Sequence, residues 1–275
     1  MKVHHLNCGT TAWGMVDHCL LVETPAAGLV LVDTGFGLGC VRHPRLLGWS
    51  RHLVRPVLRE AETAIRQIEA LGHDPADVRH IILTHLDYDH TGGLPDFPWA
   101  TVHVHGPEYR AGMRPTMVER IRYRGEQLWA HGVKWQINEV DGGPRWFGFE
   151  AVHDLPGLPP EILVIPLLGH SRGHVGVAVH TGARWLLHAG DAYTLPSALA
   201  DNAAGAASRA VHVIGDHPSY PRAQLQNIHR LSDLNAQHGD EITVFCSHDQ
   251  AEFTRLAGGS SVRRWAPKLV PFWSK

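Results

Sequence analysis

Residues 83–90 read LTHLDYDH. Five of these eight side chains, His85, Asp87, Tyr88, Asp89 and His90, can take a proton or a metal, and they follow directly on an apolar run. Imidazole combined with carboxylate is a ligand set for zinc, iron or manganese, whereas calcium and magnesium prefer oxygen alone. Fully extended, these side chains would alternate between two faces; a tight turn would fan them around one centre. Taken alone, the stretch reads equally well as a solvated polar turn. It does not stand alone. Asp33 in LVDTG, His170 in LLGHSRGH, Asp191 in LLHAGDAY and His248 in VFCSHD also follow apolar runs.

A side chain at the C-terminal end of a strand can point out of the sheet into a crevice, where open α/β layers bind ligands. The elements must therefore bring these ends together. HCLLVET (18–24) and LVLVD (29–33) are short apolar strands joined by PAAG as a hairpin. Over residues 59–71, Ala61, Ile65, Ile68 and Leu71 share a helical stripe, with Gly72 as the stop. RHIILT (79–84) is apolar enough to be a strand buried on both faces. Further strands are expected over 100–105, 161–168, 175–180, 183–190 and 241–248, with helices near 107–131 and 221–238. This order predicts an α/β fold, two sheets packed together and covered by helices outside. One domain over residues 1–275 is expected, with an insertion or cap at about 107–160, where most of the irregular sequence falls.

The bulk composition narrows the function. With 44% hydrophobic and 19% charged residues the chain reads as an ordinary soluble enzyme, and no stretch approaches the roughly 20 apolar residues of a bilayer span. The start, MKVHHLNCGTTAWG, lacks a secretory signal, so cytoplasm is the expected location. A net charge of -2 with interspersed signs argues against nucleic acid and against a membrane surface, leaving a small molecule as substrate. Cys8, Cys19, Cys40 and Cys246 form no C-x-x-C pair and read as buried free thiols. The 22 histidines exceed the ligands of any metal centre, so most need another explanation.

In their order along the chain, LVDTG, the His85–His90 stretch, GHSRGH, HAGDA and SHD resemble the metallo-β-lactamase fold superfamily across residues 29–249. The resemblance implies an αββα sandwich of two mixed β-sheets flanked by helices. It also implies one metal held by His85, Asp87 and His170, a second held by Asp89, His90 and His248, and Asp191 bridging them. Asp33 would orient the ligand loop through hydrogen bonds. The superfamily motif usually has His where this chain has Asp87; a carboxylate, as Glu, stands there in the di-iron branches. Two divalent ions are thus expected, zinc first, with iron or manganese suited to the harder first position that Asp87 creates. Three carboxylates in one crevice, Asp87, Asp89 and Asp191, repel one another until protons or cations relieve them.

Two metals roughly 3.5–4 Å apart can share a water, lower its pKa to about 7 and turn it on an electrophile. No Ser or Cys nucleophile is needed, and no G-x-S-x-G is found. Asp89 is the candidate proton donor to a departing alkoxide. Tyr193 stands near a comparable tyrosine of the superfamily's acyl-homoserine-lactone lactonases, which lies slightly further along; it either donates to the substrate carbonyl or simply packs. Those lactonase-like members are the nearest look-alikes, so a dinuclear metal-dependent hydrolase of a small ester or lactone is expected. A β-lactam or phosphoester would use the same machinery. Asp87 raises a di-iron redox protein as the alternative, against which stands the lack of a flavin domain or cluster-binding cysteine set. A non-catalytic metal-binding module would lack a ligand, and none is lacking. His103 and His105 read as structural, His174 as support for the His170 loop, and His188 as a strand residue, while His4, His5 and His18 have no partner in view. Trp13 and Met15 either form an apolar lip over the site or pack as loop. The tail RRWAPKLVPFW could pack on the body or on a second copy, making a homodimer.

Overall fold

The computed structural model describes residues 1–140, 142–200, 205–208 and 221–258. The tail RRWAPKLVPFW lies outside them. Six strands form one mixed sheet in the order β1 (Lys2–Thr10), β2 (Val16–Glu23), β3 (Leu29–Val32), β4 (Val78–Ile82), β5 (Thr101–His105), β6 (Lys134–Asn138). The β1–β2–β3 part is antiparallel and β3 to β6 run parallel. A second mixed sheet has the order β10 (Ile242–Phe245), β9 (Trp185–His188), β8 (Val175–His180), β7 (Ile162–Pro166), with only β10 and β9 parallel neighbours.

The sheets face each other across a dry layer in which Leu20, Val22, Val30, Val32 and Ile82 meet Ile162, Val164, Val177, Leu186 and Phe245. Removing such a side chain from water contributes about 1.5–3 kcal/mol each. Phe245→Ala would therefore open a cavity costing about 3–5 kcal/mol. Outside the first sheet, Ala64 and Ile68 of the helix Ala64–Ala70 cover Leu6, Leu21, Leu31 and Ile81. Outside the second, Ile228, Leu231 and Leu234 of the helix Pro221–His238 cover Ala178, Leu187 and Val244. The fold is the expected αββα sandwich.

Chain direction then decides where chemistry can gather. β3 and β4 are parallel, and so are β9 and β10, while β7 and β9 each run antiparallel to β8. The two sheets are joined at the start of β2, where His18 N donates to Ser247 O (2.9 Å) and Val16 N to His248 O (3.4 Å). That junction brings the C-terminal ends of β3, β4, β9 and β10 to one rim.

One helix differs from expectation. The 59–71 helix is shorter, because Thr63 is extended (ψ 145°) and closes a separate 3₁₀ turn over Glu60–Glu62. The helical stretch expected near 107–131 is present as three pieces, Gly106–Met113, Glu119–Arg122 and Gly125–Leu128. Pro115 makes the first break by excluding the α conformation from Arg114 (φ -135°, ψ 65°). β1 and β6 were not expected as strands: β1 reads as polar, and β6 pairs only with β5.

Candidate metal centre

The loop after β4 turns into a single helical turn, Tyr88–Thr91, begun by Asp87 O accepting from His90 N (2.9 Å) and Thr91 N (3.0 Å). This tight turn fans the motif as the ligand spacing required. His85 and Asp87 point to one side with His170 and Asp191, their ligand atoms all within 4.8 Å of one another. Asp89 and His90 meet His248 within the same limit.

Asp191 stands between the two sets. Its Oδ2 lies 3.0 Å from His248 Nε2, 3.5 Å from His170 Nε2 and 3.8 Å from His85 Nε2, and its Oδ1 lies 3.4 Å from His90 Nε2. Asp87 Oδ2 completes the first set at 3.2 Å from His85 Nε2 and 3.1 Å from His170 Nε2. All seven residues named from the sequence are thus together.

The surroundings aim these atoms. Asp33 accepts from Thr84 N (2.8 Å), Thr84 Oγ1 (2.7 Å) and His90 Nδ1 (2.8 Å). Since the Thr84 hydroxyl donates to Asp33, it accepts from His85 Nδ1 at 2.9 Å. His248 Nδ1 donates to Val16 O at 2.8 Å. Each tether places a ring proton on Nδ1 and turns Nε2 toward the centre, where a cation would take its lone pair. Asp33 itself has φ 55°, a left-handed conformation that costs about 1–2 kcal/mol outside glycine, offset here by its three hydrogen bonds. Gly190 has φ 56°, and a Cβ there would meet His174 Nε2 at 2.6 Å; its absence lets Asp191 N donate to that nitrogen at 2.9 Å. His174 Nδ1 in turn donates to Leu167 O (2.9 Å), so His174 supports the centre from behind.

The donor set suits a cation. Buried His85 Nε2, His90 Nε2 and Asp191 Oδ1 make no hydrogen bond, and all three face the same space. Leaving such atoms unpaired is costly unless a cation takes their lone pairs. Burial alone would push the Asp191 carboxyl up, but the His248 and His90 rings beside it hold it well below the usual carboxylate range. Burial would push His90 down, yet Asp191 and Asp33 raise it well above the usual imidazole range.

Tyr193 needs correction. Its ring is fully buried among Ala198, Leu231 and Cys246, and its hydroxyl donates to Glu252 Oε1 at 3.2 Å. The phenol bonds a side chain outside the two donor sets, so the structure places Tyr193 as a packed residue. His5 and His18 do have a partner, namely each other, at 2.8 Å (His5 Nδ1 to His18 Nε2). His103 pairs with His80 (3.0 Å) and His105 donates to Gly173 O (3.0 Å), both structural roles. Trp13 is exposed and donates from Nε1 to Leu53 O (3.1 Å).

Three neighbours of the centre were missed. Glu108 accepts from Leu86 N (3.0 Å), Tyr123 OH (3.0 Å), Ser171 Oγ (2.7 Å) and Gly173 N (2.8 Å), tying the 85–90 loop to the 170–174 loop. Asp17, at the start of β2, lies 3.4 Å from His248 Nδ1, and burial, only partly countered by His248, raises its carboxyl to about 6. Arg122 forks onto Asp87, with Nε 2.8 Å from Oδ1 and Nη2 2.7 Å from Oδ2. The guanidinium beside Asp87 overcomes the effect of burial and holds that carboxyl well below its usual range. An acidic residue in an apolar strand was the one available signal for Asp17; Glu108 and Arg122 carried none.

Residues 14–193 match the family described as the metallo-β-lactamase superfamily. A probable metallo-hydrolase of Mycobacterium tuberculosis is 45% identical over 257 residues, covering 90% of this chain and 80% of the relative. An N-acyl homoserine lactonase of Azorhizobium caulinodans is 30% identical over 199 residues, covering 70% of this chain and 73% of the relative. Among solved structures, a B. thuringiensis AiiA variant with N-decanoyl-L-homoserine bound at its active site superposes with a TM-score of 0.69. It covers 92% of this chain and 95% of that one at 21% identity, a likeness of fold. Among the described residues no helix is long and apolar enough to cross a membrane.

Proposed function

The chain belongs to the metallo-β-lactamase superfamily, a family of metallo-hydrolases, and from that premise we propose that it is a dinuclear hydrolase of a small ester, a lactone first. The observation that carries this reading is the Asp191 carboxylate, with one oxygen toward His90 and the other toward His85, His170 and His248. The lactonase relatives support the substrate class.

His85, Asp87, His170 and Asp191 would hold one divalent ion, and Asp89, His90, His248 and Asp191 the other. Zinc is the first choice, with iron or manganese admitted by the carboxylate at Asp87. Bound as a pair, such ions supply Lewis acidity and an acidified water. The chain's own residues do the rest. The Nδ1 tethers through Asp33, Thr84 and Val16 hold the rings in register before substrate arrives. Half-buried Asp89 would take the proton released by the attacking water and pass it to the departing alkoxide oxygen.

A panel of lactones, aryl esters and phosphotriesters, run beside metal analysis of the freshly purified protein, tests the reading. Lactones should be turned over fastest by protein containing two ions per chain. Inactivity on all three classes would sink it, and a coloured iron protein without hydrolase activity would favour the redox alternative. Asp89→Asn should lower kcat about 10²- to 10⁴-fold with metal content retained. Unchanged turnover would remove Asp89 from the proton path.

A further inference from the structure

The two donor sets beside Asp191 differ in what already engages them. In the second set, His90 Nε2 makes no hydrogen bond, as is also true of His85 Nε2 in the first, and His248 Nε2 bonds within the set, to Asp191 Oδ2 at 3.0 Å. In the first set, the Arg122 guanidinium takes both oxygens of Asp87, donates from Nη1 to His170 O at 2.9 Å, and brings Nη2 against His170 Nε2. Asp87 Oδ2 and His170 Nε2, two of the four donor atoms of that set, are therefore held by one side chain. The side chain is 17% exposed and cannot deprotonate, so its charge is permanent.

Its mount is firm. Arg122 ends the short helix Glu119–Arg122, and buried Glu119 is clasped by Arg172, with Nε 2.6 Å from Oε1 and Nη2 2.8 Å from Oε2. Arg172 lies in the same loop as His170. The segment that carries the guanidinium is thus fastened to the loop that carries a ligand ring, and cation and donors are positioned as one unit.

We propose that Arg122 is a fixed cation competing with the first metal ion for Asp87, so that the two positions load in order. A divalent ion enters between Asp89, His90, His248 and Asp191 first. The position at His85, Asp87 and His170 fills only when the guanidinium releases Asp87 Oδ2. The inference rests on the reading above that both sets are metal positions, and it makes Arg122 a positioning residue that sets how tightly the first position holds its ion.

The test is calorimetric titration of metal-free protein with zinc, with metal content measured after equilibrium dialysis. Wild type should show two steps whose affinities differ by at least about tenfold, and Arg122→Met should tighten the weaker step by a similar factor with the stronger unchanged, the scale on which partners of ligands act. His248→Ala should abolish the tight step and leave the weak one. Two equal steps in wild type overturn the inference whatever the variants do, as does an Arg122→Met protein with unchanged separation, or loss of the weak step in His248→Ala. Should Arg122→Met fail to fold because Asp87 is left buried and unpaired, Arg122→Lys decides. It keeps the charge but loses the fork, and should give a partial tightening; none would overturn the inference. Binding of no ion at all would instead refute the metal reading beneath it.

Discussion

Two groups of buried histidines in this protein contrast, and the difference lies in where their second nitrogen goes. At the rim, His85, His90 and His248 each spend Nδ1 on a tether and aim Nε2 at a shared space lined by carboxylates. Within the sheets, His5 and His18 bond each other, His18 lies against Phe245 and Phe253, and His80 bonds His103. Carboxylates raise His90 and His248 well above the usual imidazole range, with burial working against them. Burial with neighbouring imidazoles pushes His5 down to about 4 and His103 to about 3. His85 faces Asp87 and Asp191 as well, but burial and the neighbouring His90 ring hold it below the usual imidazole range, so burial and neighbours together set each ring's state. A sequence rich in histidine cannot be read by counting.

The sharpest way to break this contrast is to remove the carboxylate common to the rim. Asp191→Ala should reduce bound metal from two ions per chain to at most one. Hydrolytic activity should fall beyond the roughly 10–100-fold that outer partners of a ligand cost. Metal analysis with a lactone or ester assay reads both. Retention of two ions and wild-type turnover would mean that the rim histidines are another neutral cluster.

The rim was legible because each of its residues follows an apolar run. Strand ends are the one place where a local pattern fixes a position in space. What escaped depended on distant parts of the chain. Arg122 meets Asp87 across 35 residues and His170 across 48, from a stretch with no periodicity. Glu108 joins Leu86 to Gly173 across 22 and 65 residues. β1 was overlooked because His4 and His5 make KVHHLNCGT look polar, while the structure buries both, His4 against Glu23 and His5 against His18. Tyr193 was drawn toward the site by its nearness to Asp191 in sequence, whereas its ring turns into the layer under the helix Pro221–His238. One residue decides which side of a strand end a side chain takes.

The second population makes its own prediction, of intermediate size. His5 is held near 4 when folded and titrates near 6.5 when unfolded. Above about pH 6.5 both states are neutral and nothing changes. As pH falls from 6.5 toward 4 the unfolded chain takes up a proton that the folded one refuses, so stability is lost progressively through that window. That gap corresponds to on the order of 3 kcal/mol. The double variant His5→Leu, His18→Leu removes both partners and leaves no unsatisfied nitrogen. The stability difference between variant and wild type, from denaturant unfolding at pH 7 and pH 4.5, should move in the variant's favour in acid. A difference independent of pH would show that these rings protonate freely and do not belong to the dry class.

The smallest effect is expected at His80 and His103, where, among the described residues, burial lowers both rings and no carboxylate opposes it. His103 sits on β5, one strand from β4, whose end supplies His85; it is fully buried, while His80 is half-buried. His103→Gln keeps a polar side chain but gives up the 3.0 Å bond to His80 Nδ1. Loss of one neutral hydrogen bond costs about 1 kcal/mol, which lowers the melting temperature of a domain this large by roughly 2–4 °C. Metal content, kcat and KM should stay at wild-type values, because neither ring touches the rim. A fall in bound metal would put His103 in the first population, and the division between ligand and core histidines would then have to be drawn by strand position, not by the groups each ring faces.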